Sequence, residues 1–545
     1  MIRRCLWGFQ TLGVPLHRRP AALLKVANLS ALSSHRDQPF RWVWHVALVL
    51  GYPFPVAGLR RLLRTKTPDA ILKEAEASTE KLKRVLGPID LIALGIGAVI
   101  GAGIFALVGT AAAGDPSRPG AGPALMLSFL LTGLACAFTG LCYAEFASLV
   151  PISGSAYTYA YAALGELLAW IIGWDLILEY AVGNVAVAVS WSGYFCELLR
   201  GLGIVFPPWL ATDLRTALQS PEIRSSAPHV LGVPVVFNLP AVFIVIFLTL
   251  LLVIGIKESA RFNTFMVGIK LVVLGFFVFV GMQYVEPANW HPFAPNGWAG
   301  IQAGAAVIFF AYIGFDAVST VAEECRRPAR DLPIGILGSL AACTVIYVIV
   351  AAVLTGMIPW NQLHTAEPLS VAMRVVHKDW AAGVVAFGSV VAHTAVLLVF
   401  QLGQSRIFYS MARDGLLPET FARVHPRFRT PHVATIITGI FVAGASAIAS
   451  LEEMADLCNI GTLSAFALVC AGVIVLRYRD PLRHRPFRTP LVPVIPVLGI
   501  FSCLYLTLGL PITAWIRFGV WLLVGLAFYR AYSFTHSKLA RSAES

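Results

Sequence analysis

The chain has 545 residues, of which 57% are hydrophobic and 13% are charged, and its mean hydropathy is +0.75. Soluble domains carry about 25% charged residues, so this composition excludes an ordinary soluble protein and indicates a membrane protein. The net charge of +12 would suggest nucleic-acid binding in a soluble chain. Most Lys and Arg residues lie between apolar runs, however, which is typical of membrane topology, and we expect no nucleic-acid partner.

Residues 1–58 form a basic extension with seven Lys and Arg residues and one acid, Asp37. An Arg-rich, acid-poor composition resembles a transit peptide, and a disordered cytoplasmic extension or a wrongly chosen start is the simpler interpretation. We expect three parts: the extension at 1–58, a membrane domain at 59–535 and a short cytoplasmic tail at 536–545.

Twelve apolar runs have the length of about 20 residues that a membrane-spanning helix needs. They lie roughly at 88–112, 122–148, 157–198, 238–255, 260–284, 300–323, 333–357, 383–410, 432–450, 456–476, 491–511 and 516–533. The third run is long, which predicts either one strongly tilted helix or two short ones. Its polar residues Asp175, Glu179 and Asn184 predict that one face meets protein or water.

The basic residues of the connections predict the orientation. The even-numbered connections carry 15 Lys and Arg residues, and the odd-numbered ones carry 7. Because cytoplasmic loops have the excess of Lys and Arg, we expect both termini to be cytoplasmic.

Two segments carry glycine inside an otherwise apolar run. The first reads IDLIALGIGAVIGAGIFALVGT, with Gly101 and Gly103 two residues apart. The sixth contains AVIFFAYIGFDAVST, with Gly314 two residues before Asp316. The two stand five segments apart, so an inverted repeat of five plus five helices would bring them together at mid-membrane.

These glycines predict helix breaks, since each costs about 1 kcal/mol in a helix interior relative to alanine. A break in lipid leaves N–H and C=O groups that need polar partners. A half-helix beginning near 102–104 would present N–H groups to a carboxylate, and one ending near 310–313 would present carbonyls to an ammonium. The pair therefore predicts a site for an α-amino acid, and the alternative is that the glycines serve close helix packing.

Three ionisable residues within apolar segments are candidate functional groups. Asp316 could take a proton, bind a cationic substrate or gate the cavity; the alternative is a structural hydrogen bond with Ser319 or Thr320. Lys270 could exchange a proton, because burial disfavours its charged form, or could tether two helices. Glu179 could favour cationic side chains, or pair with another group inside the bundle.

Other polar and aromatic side chains are ambiguous. Glu145 could be a gate, a loop anchor or an ordinary helix-end hydrogen bond, and His393 is expected to be a satisfied core histidine. Four aromatic residues close to the second break could wall a cavity and move as a lid, or simply pack in the core: Phe309, Phe310, Tyr312 and Phe315.

Five stretches carry a family resemblance. They are GIGAVIGAGIF, CYAEFASLVPISGSAYTYAYAALGELLAWIIGWDLILEY, GIKESARFN, FFAYIGFDAVSTVAEE and GQSRIFYSMARDGLLP. In this order, within a match from about Leu59 to about Tyr532, they resemble the amino acid–polyamine–organocation superfamily and, within it, the cationic amino acid transporter family. The resemblance implies an all-α membrane protein of LeuT-type fold, with two inverted repeats of five helices, two further C-terminal helices and alternating access.

The resemblance also implies roles for particular residues. Backbone N–H groups of Ala102 and Gly103 would bind the substrate carboxylate, and carbonyls of Val99, Phe310 and Ile313 would bind its amino group. The full substrate-binding set that we expect is Val99, Gly101, Ala102, Gly103, Ile104, Phe310, Ala311, Ile313, Asp316 and Glu179, with Lys270 for proton coupling. Family members often have serine or threonine where this chain has Ala102, so a hydroxyl contact to the substrate would be missing here.

The leading hypothesis is a secondary active transporter of cationic or small neutral amino acids in the plasma membrane, driven by the proton motive force. The alternatives are an obligatory amino acid exchanger and a sensor that binds without transporting. We expect no enzyme, because the apolar segments contain no HExxH or GxSxG motif. No CxxC pair occurs among the nine cysteines, so we expect no disulfide framework and no zinc site. We also expect no cofactor, since the proton motive force is the expected source of energy. The expected partners are the substrate, protons and the lipid bilayer; the oligomeric state stays open, and a monomer would suffice.

Overall fold

The computed structural model describes residues 64–77, 84–152, 154–230, 233–255 and 260–539. The extension predicted at 1–58 and most of the tail predicted at 536–545 lie outside these residues, so both remain predictions.

Twelve apolar helical segments follow one another along the described chain. Eight are long and apolar enough to cross a membrane by themselves, one is a bent pair of helices, and three are shorter apolar helices. In order they are Pro88–Val99 with Gly103–Ala113 (α1), Gly122–Leu149 (α2), Glu166–Gly201 (α3), Leu239–Ile254 (α4), Thr264–Tyr284 (α5), Gly297–Thr320 (α6), Pro328–Met357 (α7), Asp379–Arg413 (α8), His432–Ser446 (α9), Leu451–Arg479 (α10), Val494–Thr507 (α11) and Ile512–His536 (α12). They correspond one to one with the twelve predicted runs, and the predicted all-α membrane fold is confirmed.

The third predicted run has a different form from either alternative. A separate helix, Ser155–Ala163, precedes α3, and Gly165 with φ +107° divides the two. From Glu166 the helix continues to Gly201 through a π-helical stretch at Leu178–Val182. A side chain at Gly165 would be strained, so glycine is what allows the chain to turn there.

The remaining elements are short and lie before or between the membrane segments. The short helices are Pro68–Ala77, Pro208–Ala211, Leu214–Gln219, Pro221–Ser226 and Pro368–Val375, with 3-10 turns at Pro287–Trp290, Ala322–Glu324, Trp360–Gln362 and Glu419–Ala422. Two antiparallel strand pairs occur in the described residues: Gly114–Asp115 (β1) with Arg118–Pro119 (β2), and His229–Val230 (β3) with Val233–Pro234 (β4).

Burial separates central helices from peripheral ones. In the most apolar stretch of 18 residues of each helix, the share buried inside the protein is 94% for α6 and 89% for α3, compared with 17% for α12. Helices α3 and α6 therefore lie inside the bundle, while most of α12 faces outward. This places Asp175, Glu179 and Asn184 of α3 in the protein interior, as their polarity predicted.

Candidate functional site

Helix α1 is broken in the middle. Its first half ends at Val99, Ile100 is extended with ψ 103°, and the second half departs at an angle of 48°. The second half begins with a π-helical turn at Gly103–Leu107, preceded by Ala102. The first N–H groups of a helix have no partner within it, so this start is suited to a carboxylate, as the glycine pattern predicted.

Helix α6 is interrupted at the matching place. The regular α-helix ends at Ile308, a 3-10 turn covers Phe309–Tyr312, and Ile313 is extended. Gly314 follows with φ +112°, a conformation that other residues rarely adopt, and a short helix resumes at Ala317–Thr320. The sequence located this break correctly at Gly314.

The two interruptions touch each other. A Cβ atom added to Gly103 would lie 2.3 Å from the Cα atom of Ala311, and one added to Gly314 would lie 3.0 Å from the carbonyl carbon and oxygen of Ala98. Gly101 is similarly close to Val396 of α8, at 2.8 Å. Close packing, offered as the alternative role of these glycines, is therefore a real function of theirs, and it is also what brings the two breaks face to face.

Lys270 of α5 binds the broken end of α1. Its ammonium donates to the carbonyl oxygens of Gly97, in the last turn of the first half-helix, and, at 3.0 Å, of Ile100, in the break itself. The residue is fully buried. It thus tethers two helices, which was one of the two roles offered for it.

Two residues that the sequence reasoning missed bind the other exposed carbonyls. The Tyr347 hydroxyl of α7 donates toward the carbonyl of Val99 at 3.1 Å and that of Ala311 at 2.9 Å, so a single group contacts both breaks. The Asn459 side-chain amide of α10 donates to the carbonyl of Ala306 at 2.9 Å. Each is a polar side chain within a predicted membrane segment, a signal that could have marked them as candidate partners for freed backbone groups.

Asp316 is fully buried immediately after the second break. One of its carboxylate oxygens accepts from the Tyr180 hydroxyl at 2.9 Å and from the Ser155 hydroxyl at 3.4 Å. Ser319, proposed as the structural partner of this carboxylate, donates to the Asp316 backbone carbonyl instead, so that alternative was wrong in its partner. The second carboxylate oxygen has no hydrogen-bond partner among the described residues.

Glu179 of α3 forms an acidic pair with Asp316. Its carboxyl group is fully buried and lies close enough to that of Asp316 for the two charges to act on each other. Within the described part of the chain, neither oxygen of Glu179 reaches an ordinary hydrogen-bond partner, although Thr462 stands nearby. Two neighbouring buried carboxylates would be stabilised by a positive charge, supplied by a proton or by a cationic ligand.

The predicted backbone residues all lie in or beside the two breaks. Val99, Ala102 and Phe310 expose 3%, 1% and 5% of their surfaces, and Ile104 and Ile313 are equally buried. The carbonyl of Phe310 already accepts from the N–H of Ile313 at 3.4 Å, whereas Ala311 and Val99 accept from a side chain. The site is therefore enclosed by protein.

Aromatic rings pack around the second break. Phe315 packs edge-on against Tyr143, and both rings contact Phe466 of α10. Tyr312 lies against Phe129 and Tyr347. Phe309 also packs edge-on against Phe466. All four aromatic residues named from the sequence, including Phe310, are buried beside the second break.

Glu145 and His393 have ordinary structural partners. The Glu145 carboxylate accepts two hydrogen bonds from Arg477 at 2.8 Å, one from the Thr489 N–H, and pairs with Arg485 at 3.1 Å. It therefore anchors the loop after α10 to the end of α2. His393 is buried and bonds to the Ser190 hydroxyl at 2.7 Å and to Ser389, as expected for a satisfied core histidine.

The helical bundle and its two facing interruptions define a membrane transporter of LeuT-type fold. The chain belongs to the amino acid permease family, because the sequence model of that family matches residues 86–528. It thus belongs to the amino acid–polyamine–organocation superfamily that its motifs indicated.

Similar proteins carry transporter names. The chain is 49% identical over 467 residues to the branched-chain amino acid permease BcaP of Bacillus subtilis (strain 168), covering 85% of this chain and 96% of the relative. It is 45% identical over 478 residues to the methylthioribose transporter of the same organism, covering 88% and 99%. A vacuolar cationic amino acid transporter 4 of Arabidopsis thaliana is 37% identical over 432 residues, covering 78% of this chain and 68% of the relative.

Proposed function

We propose that this protein moves amino acids across a membrane by alternating access and that the movement is coupled to protons. The observation that carries the proposal is the contact between two interrupted helices. The start of one half-helix at Gly103 and the carbonyls of Val99 and Ala311, which accept from a side chain, lie within the same enclosed region. The opposite partial charges of such helix ends match the two charges of an α-amino acid. The names of the relatives support the same class of substrate.

The coupling group in this proposal is Lys270. In its charged form it binds the carbonyls of Gly97 and Ile100 and holds α5 against the first half of α1. Deprotonation would weaken that contact by removing the positive charge, since hydrogen bonds from charged donors are roughly twice as strong as neutral ones. The first half of α1 would then be released to move, which links proton transfer to opening of the site.

The substrate range follows from the acidic pair. With both Asp316 and Glu179 ionised, a lysine, arginine or ornithine side chain would supply the missing positive charge. With a proton on the pair, the same position would accept a small or branched neutral side chain, the type named for the branched-chain relative. We therefore propose that cationic and neutral amino acids are both candidates.

The proposed location is the plasma membrane, with both termini in the cytoplasm. The excess of Lys and Arg in the even-numbered connections supports this orientation. It makes the outer end of the bundle the one that carries β1 and β2 and the connection between α7 and α8.

Uptake into liposomes tests the proposal. Purified protein is reconstituted, an acid-outside pH gradient is imposed on vesicles that contain no amino acid, and radiolabelled arginine, lysine, alanine and leucine are supplied outside. Accumulation that collapses with a protonophore is the expected result. Accumulation only when vesicles are preloaded with amino acid would replace proton-coupled uptake by obligatory exchange, and no transport under either condition would contradict the proposal.

A further inference from the structure

The carbonyls at the two breaks must stay hydrogen-bonded through a whole transport cycle. A transporter that takes up a substrate and returns without one spends half of its cycle with no ammonium at its site. Buried carbonyls left unpaired during that return would raise its energy, by the equivalent of a factor of about 5 to 150 in an equilibrium for each group.

Tyr347 has the geometry to prevent this loss. It lies on α7, which is continuous from Pro328 to Met357, and its ring is fully buried. Its hydroxyl is 3.1 Å from the carbonyl oxygen of Val99 in α1 and 2.9 Å from that of Ala311 in α6. These two acceptors come from the two chain segments that the proposed function assigns to the substrate ammonium.

We infer that Tyr347 is a positioning residue whose hydroxyl takes the place of the substrate ammonium at the Val99 and Ala311 carbonyls while the transporter returns without substrate. The inference rests on the proposed function and deepens it. When an amino acid binds, its ammonium supplies the donors at these two carbonyls. When the amino acid leaves, the hydroxyl restores the bridge between α1 and α6, so that the two broken helices still move together.

Net uptake and exchange depend differently on such a group. Net uptake requires the return without substrate in every cycle, whereas exchange returns the protein loaded. In the Tyr347→Phe variant the ring keeps its packing against Phe129 and Tyr312, whose ring centroids lie 5.3 Å and 5.5 Å from its own. Only the hydroxyl donor is lost. We expect net, gradient-driven uptake to fall at least about tenfold and exchange into preloaded vesicles to stay within about twofold of the unmodified protein.

A matched control removes a hydroxyl elsewhere on the same helix. Thr355 of α7 is also fully buried, and its hydroxyl donates to the Ala351 carbonyl within its own helix, at 2.8 Å. That carbonyl has its own helical partner, so Thr355→Val leaves no break carbonyl unpaired. The ratio of net uptake to exchange in this variant is expected to equal that of the unmodified protein.

A second variant separates the donor from the fold. Incorporation of 4-aminophenylalanine at position 347 retains an N–H donor at the ring tip, so we expect this variant to restore net uptake. Its gel-filtration profile and melting temperature are expected to match those of the unmodified protein. Equal losses of net uptake and exchange in both position-347 variants, or no change in either rate in Tyr347→Phe, would overturn the inference. If the unmodified protein transports nothing, the proposed function fails first; if it transports and the ratio does not shift, only the role of Tyr347 fails.

Discussion

Replacing Gly103 by alanine tests whether the two interruptions must touch. The added methyl group would lie 2.3 Å from the Ala311 Cα atom, 2.4 Å from its Cβ atom and 2.7 Å from its nitrogen. Carbon atoms at an optimal contact are about 3.5–4.0 Å apart, so the two backbones would have to separate by roughly 1.2 Å or more. Backbone atoms at Ala311 cannot rotate away as a flexible side chain could.

The expected consequence is weaker substrate binding with a smaller effect on the fold. Overpacking of this kind costs about 1–3 kcal/mol, partly offset by the better helix propensity of alanine, about 1 kcal/mol. A displacement of about 1 Å in a binding constellation can reduce its performance by a factor of roughly 100. We therefore expect the affinity of Gly103→Ala for its amino acid to fall by a factor of roughly 10 to 100.

The assay is amino acid binding to purified protein by calorimetry, with melting temperature measured in parallel. Gly275→Ala in α5 is the matched control, because a Cβ there would meet nothing within 4 Å. Binding by Gly103→Ala that equals binding by Gly275→Ala would refute the conclusion that the contact between the breaks shapes the site.

Three further predictions follow from charged groups. In Lys270→Met, pH-driven uptake is expected to vanish while amino acid binding persists, and unchanged uptake with the same pH dependence would remove Lys270 from coupling. In Asp316→Asn, uptake of arginine is expected to fall at least about tenfold more than uptake of alanine, because a buried carboxylate pairs a cation far better than an amide does; equal losses would make the carboxylate structural. The contact of the His364 imidazole with the Glu452 carboxylate, with Nε2 and Oε1 3.5 Å apart, raises the pKa of His364 against partial burial. Its stabilising contribution is therefore present at low pH and lost as pH rises through the raised pKa, so the melting temperature of His364→Ala should fall below that of the unmodified protein at about pH 5.5 and match it at about pH 8.5; a pH-independent difference would contradict this.

The membrane segments were predictable because lipid imposes a simple rule on length and composition. The apolar runs located all twelve, and the glycines at 101, 103 and 314 located both breaks. Backbone conformation at these points depends on the local residue type, since few residues other than glycine tolerate φ +112°. These features depend on short stretches of sequence, so they can be predicted without knowledge of how the helices pack.

The partners of the freed carbonyls were not predictable in the same way. Tyr347 and Asn459 are 248 and 153 residues away from Val99 and Ala306, which they bind. Which side of a helix faces the break depends on the rotation and packing of that helix, and the presence of a polar residue in an apolar run does not determine either. The start of α3 was not predicted either, because the turn at Gly165 lies within a continuous apolar run and has no signal in hydropathy.

The residues predicted to bind the substrate lie in one region, and the proposal requires that they bind both the carboxylate and the ammonium of the amino acid. Melting curves of the purified protein with its best amino acid, with the carboxylate analogue that lacks the amino group, and with the amine that lacks the carboxylate test this most directly. The facing half-helices predict that the amino acid raises the melting temperature and that neither singly charged analogue does. Equal stabilisation by either singly charged analogue would contradict the binding of a zwitterion between α1 and α6.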